Sequence, residues 1–126
     1  MASDRIVLTV PAREEYARTV RMTAVALVGR LGVPIDLVDD VRIAVEEAYV
    51  FAVRRTQPGG DVTFTFTVGD GRFTCEVGPL AEASEAEDAD ESGERYAVFI
   101  LDSVCDEFEL AERPDGTHVR LCKDLV

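Results

Sequence analysis

Residues 41–53 read VRIAVEEAYVFAV. Val41, Ala44, Val45, Ala48 and Ala52 recur at helical spacing and make one apolar face. Asp36 reads as the N-cap of this helix, with Asp39 and Asp40 in a first turn where the helix dipole favours anions. Arg54 and Arg55 close the helix with the favourable sign, and Pro58-Gly59-Gly60 stops it.

Working outward, Arg5–Val10 alternates as a short strand ended by Pro11. A helix is expected from about Ala12 to Leu31, with Tyr16, Val20, Ala24, Leu27, Val28 and Leu31 on its apolar face. Val62–Val68 (VTFTFTV) is the clearest strand: Val62, Phe64, Phe66 and Val68 face one way and three threonines the other. Gly69-Asp70-Gly71 is a hairpin turn, and Arg72–Val77 returns antiparallel. Between Glu82 and Glu94, seven of thirteen residues are acidic, so a mobile acidic loop is expected at about 79–94. A third helix from Arg95 to Cys105 and two strands, Glu107–Glu112 and Thr117–Asp124, complete the chain. The order βααββαββ implies an α+β fold in one domain, residues 1–126: a two-layer sandwich with helices on one face of a mixed, mostly antiparallel sheet.

Composition narrows the function. The 126 residues carry 13 basic and 25 acidic side chains, a net charge of −12. Such a surface repels phosphate backbones and anionic lipid, so direct nucleic-acid or membrane binding is not expected, whereas a basic protein partner is favoured. Three cysteines without a C-x-x-C pair, and no signal peptide or long apolar run, predict a cytoplasmic protein. His118 stands alone and reads as a surface strand residue; the cysteines read as small core residues.

At this point the chain resembles the GHKL, or histidine-kinase-like, ATPase family, and within it the RsbW and SpoIIAB type of anti-sigma-factor serine kinases. The resemblance is carried by the element order, by Pro11-Ala12-Arg13-Glu14-Glu15-Tyr16 after the first strand, by Asp39–Ala48, and by the ending Gly116-Thr117 to Lys123-Asp124-Leu125. It implies a Bergerat-like sandwich. The family's helical Glu-x-x-x-Asn places a carboxylate and a magnesium-binding amide one turn apart, on one helix face. Here Glu47 matches the Glu, but Phe51 stands where the Asn belongs and cannot ligate a hard cation. The adenine-binding Asp of Asp-x-Gly-x-Gly falls on Gly78, and the phosphate-cradling Gly-x-Gly falls on Arg95 and Ala97. Thr117 matches a threonine on the adenine side.

The resemblance thus implies a regulator that binds a sigma factor, a STAS-type anti-anti-sigma protein, or both. It would be homodimeric, with no cofactor and no metal. Partner contacts are expected at Arg13, Glu14, Tyr16, Arg21, Glu46 and Val50. The alternative is an active serine kinase using ATP and Mg²⁺, with Glu47 as base and Thr117 near adenine. A third reading reuses the pocket for another small molecule, and would be marked by an open cavity beside Phe51.

Overall fold

The computed structural model describes residues 3–81 and 91–126. Five strands, β1 (Asp4–Pro11), β2 (Asp61–Gly69), β3 (Arg72–Leu80), β4 (Glu107–Arg113) and β5 (Gly116–Asp124), form one sheet in the order β1-β2-β3-β5-β4. Every neighbouring pair runs antiparallel, tighter than the mostly antiparallel sheet expected. Helices α1 (Ala17–Gly29), α2 (Ile35–Arg54) and α3 (Glu91–Val104) pack side by side, α2 between the other two.

The alternation in β2 decides which face of the sheet is covered. Val62, Phe64, Phe66 and Val68 are buried, while the threonines between them lie on the other face. Tyr49, Phe64, Phe66 and Phe73 form a run of stacked rings with centroids 5.8 to 5.9 Å apart. This run joins α2 to the sheet, and offset-stacked aromatic pairs of this kind stabilise beyond their buried area. The α2 face expected from the sequence is buried throughout: Val41, Ala44, Val45, Ala48 and Ala52.

Several boundaries differ from the sequence reading. The first long helix begins at Ala17, not Ala12, because the Tyr49 hydroxyl bonds to the carbonyls of Pro11 (3.0 Å) and Arg13 (2.6 Å). That tie holds Arg13 extended and leaves only a 3-10 turn, Glu14–Tyr16, before α1. Leu31 lies past the helix end and is exposed. Pro34, not Asp36, occupies the N-cap of α2; Asp36 sits in its first turn.

The expected acidic loop at 79–94 is trimmed at both ends. Strand β3 runs on through Gly78 and Pro79 to Leu80, which is buried and pairs with Thr117 after a register shift. Gly78 permits this with φ +150°, a conformation other residues rarely adopt. At the far end α3 starts at Glu91 rather than Arg95. Residues 82–90 of that stretch lie outside the described residues. His118 is buried rather than on the surface: Asp115 of the β4–β5 turn and Glu76 of β3 close over it, at 2.8 and 3.4 Å. Cys75 and Cys122 are buried and Cys105 half-buried; desolvation pushes the Cys75 thiol far up and that of Cys105 to about 12, so neither is a thiolate nucleophile near neutrality.

Candidate functional site

Helix α2 carries the two positions on which nucleotide chemistry depends. Glu47 is half-buried, and burial, with the charge of adjacent Glu46 adding to it, raises its carboxyl above the ordinary glutamate range. One turn on, Phe51 is 1% exposed and belongs to the core. Its ring lies 4.8 Å from the Arg55 guanidinium, one further turn along the same face.

Arg55 is itself fastened. Its Nε and Nη2 donate to the Glu94 carboxylate at 2.8 and 2.9 Å, a two-pronged pair with both side chains largely buried. Nη1 donates to the Ala81 carbonyl at 3.3 Å, and the Ala81 N–H bonds back to the Arg55 carbonyl at 3.0 Å. Ring, guanidinium and carboxylate therefore lock the end of α2 to the first turns of α3 and to the chain leaving β3. Gly93 presses on Arg54 as well: a Cβ there would fall 2.1 Å from a guanidinium nitrogen.

The amide that the resemblance expects for magnesium is replaced at Phe51. An aromatic ring offers no hard oxygen donor, and a fixed cation covers it. At Gly78, which the sequence reading aligns with the adenine-binding Asp, a Cβ would meet His118 Nδ1 at 2.8 Å and the Thr117 carbonyl at 2.9 Å. Thr117 is buried, and its hydroxyl is within 3.0 Å of both Glu112 carboxylate oxygens, across the β4–β5 hairpin. Ala97, at the expected phosphate loop, is core. A cleft of about 430 Å³ opens beside Phe51, with Arg55 in its wall, the feature that the small-molecule reading expects.

The sequence reading missed Arg55 and Glu94. Arg55 had a local signal, because it follows Phe51 by four residues on the same helix face. Glu94 had none; it lies 39 residues away and was counted among the loop acids.

The expected partner residues gather on another surface. Arg21 of α1 donates to Glu46 of α2 at 2.9 Å. Glu14, Glu46 and Val50 line a cleft of about 230 Å³ between the 3-10 turn and α2. Arg13 stands 5.2 Å from the Tyr16 ring and bonds the Tyr16 hydroxyl at 3.1 Å. Among the described residues no helix is long and apolar enough to cross a membrane.

A sequence model of the histidine kinase-like ATPase domain matches residues 10–123. The serine-protein kinase RsbW of Bacillus subtilis is 25% identical, the match covering 98% of this chain and 87% of that protein. The RsbW of Halalkalibacterium halodurans is 27% identical, covering 86% of this chain and 76% of its own. A crystal structure of the RsbU and RsbW domains of a Mycobacterium tuberculosis protein superposes with a TM-score of 0.73 at 17% identity. That superposition covers 97% of this chain but only 32% of the other, so the chain spans about a third of the solved protein's length.

Proposed function

Because the chain belongs to the histidine kinase-like ATPase domain family, we propose that it keeps the family scaffold and acts by capturing a regulatory protein, not by phosphorylating one. The partner is a sigma factor, a STAS-type anti-anti-sigma protein, or both in exchange, and the regulator works as a cytoplasmic homodimer. One observation carries the reading: Phe51 is buried beneath Arg55, which Glu94 holds by two hydrogen bonds. Nucleotide would have to expel a core ring and break a largely buried ion pair, and Phe51 offers no oxygen donor in the amide's place.

The capture surface in this reading is the 3-10 turn with the facing sides of α1 and α2, where Arg13, Glu14, Tyr16, Arg21, Glu46 and Val50 come together. Its exposed Met22 and Val50 supply apolar contact beside charged groups, a composition suited to a protein interface. The −12 net charge speeds encounter with a basic partner.

The test is calorimetric titration of a sigma factor and of a STAS protein into the full chain, with and without ATP and Mg²⁺. Nucleotide-independent capture of at least one, weakened by Arg21→Glu, is expected. Phosphate transfer from ATP to a STAS serine, lost in Glu47→Gln, would instead establish the kinase alternative; the half-buried Glu47 with its raised carboxyl is the feature that favours that reading.

A further inference from the structure

Among the described residues, no element pairs with the outer edge of β4. Helix α3 leans on α2 and barely touches β4. Between α3 and β4 runs the cleft of about 430 Å³, within the size range of specific binding pockets. Its walls are mostly apolar, with Phe99 on α3, Phe108 and Leu110 on the helix-facing side of β4, and Phe51; Arg55 and Arg95 are offset there by Glu94 and Asp102. Phe99 is 67% exposed and Leu110 39%, and Tyr96 stands exposed one turn before Phe99. Exposed large apolar groups grouped along one groove mark an interaction site more often than scattered ones do.

The groove continues into a second depression that shares Asp102 and Phe108 with it. That end carries Asp102, Asp106, Glu107 and Glu109 against Arg120, with Glu107 also paired to Arg72, so it stays net acidic. An apolar trough with an acidic end complements a chain that has apolar side chains on one face and Lys or Arg beside them.

We infer that the α3–β4 groove is a second docking site, taking a basic amphipathic helix from a protein partner. It rests on the protein-capture reading, but at the opposite edge of the sheet from the α1 surface. The partner helix seats its apolar face on Phe99, Phe108 and Leu110 and lays its cations along the carboxylates. A site there, separate from the α1–α2 surface, would let one regulator hold two segments, so that the second binds as an intramolecular event.

The probe is a fluorescent helical peptide with Leu at i, i+3, i+4 and i+7 and Lys between, titrated into the full chain by anisotropy. A twin peptide carries Glu for Lys. The Lys peptide is expected to bind and the Glu peptide not to. Phe99→Asp and Leu110→Ser, both at exposed positions, should weaken binding about ten- to a hundredfold with circular dichroism unchanged. Glu109→Lys should weaken it about two- to fivefold, and Arg21→Glu should leave it unaltered. Binding that ignores Phe99→Asp and Leu110→Ser, or equal binding of the Glu twin, would overturn the groove while leaving capture at α1–α2 untouched. So would a light-scattering mass that falls from dimer to monomer in Phe99→Asp, which would give the groove to a second copy of this chain.

Discussion

Replacing Phe51 by asparagine puts the family's oxygen donor back in register with Glu47. If the position is core, the change damages the fold without creating a nucleotide site. Truncating a buried Phe costs about 3–5 kcal/mol. Losing the contact with the Arg55 guanidinium, 4.8 Å away, adds about 0.5–2 kcal/mol. Burying an unpartnered amide adds about 1–3 kcal/mol. Asparagine fills part of the space, so the net loss is about 4–6 kcal/mol, a large share of the roughly 5–15 kcal/mol that holds such a domain together. At about 3–5 °C per kcal/mol for this length, Tm should fall by about 12–30 °C. Phe51→Leu keeps the apolar fill and should cost only about 1–2 kcal/mol. Thermal unfolding followed by circular dichroism, with and without saturating ATP and Mg²⁺, measures both effects. A Phe51→Asn protein as stable as wild type, or one whose Tm rises with ATP and Mg²⁺, would refute the reasoning.

Other expectations follow from the same geometry. Glu94→Ala removes the two-pronged carboxylate from Arg55 and should destabilise by about 2–4 kcal/mol, less than for a fully dry pair because both groups retain some exposure; hydrogen exchange should speed up first in the opening turns of α3. Gly78→Asp, which restores the adenine carboxylate, forces a side chain onto φ +150° and into His118 and the Thr117 carbonyl, so a loss of at least about 1–3 kcal/mol is expected in urea unfolding. Because the folded Glu47 carboxyl is raised, its contribution to stability is full when protonated, below the unfolded value, and is lost as pH rises through the folded one. Glu47→Gln should therefore raise Tm at neutral pH, and the gain should vanish in acid. His118 lowers the Asp115 carboxyl, the opposite case: that contribution is full above the ordinary aspartate range and disappears as pH falls below it, so Asp115→Asn should flatten the acid limb of the Tm profile.

How far the sequence reaches can be traced through single residues. The apolar face of α2 was legible because helical period alone sets it, and that register also placed Phe51 opposite the missing amide. The strands β2 and β5 were legible because alternation fixes which face is buried. Leu80 was not: Gly78 and Pro79 are breaker residues locally, and only pairing with Thr117, 37 positions away, keeps the strand going. The start of α3 was masked by acids that locally suggest a loop, whereas Glu94 is anchored by a distant arginine. His118 was misplaced in part for the same reason, since Glu76 of the neighbouring strand, with Asp115 of the local turn, closes over it on the open sheet face. In each miss a contact remote in sequence overrides a local preference.

Under the proposed function, the nucleotide pocket has become core. The most direct measurement is calorimetric titration of the wild-type protein with ATP in the presence of Mg²⁺, paired with a thermal scan of the same sample. No heat of binding and an unchanged Tm are predicted. Saturable binding, with stabilisation approaching about 2.7 kcal/mol at a hundredfold excess over Kd, would contradict it.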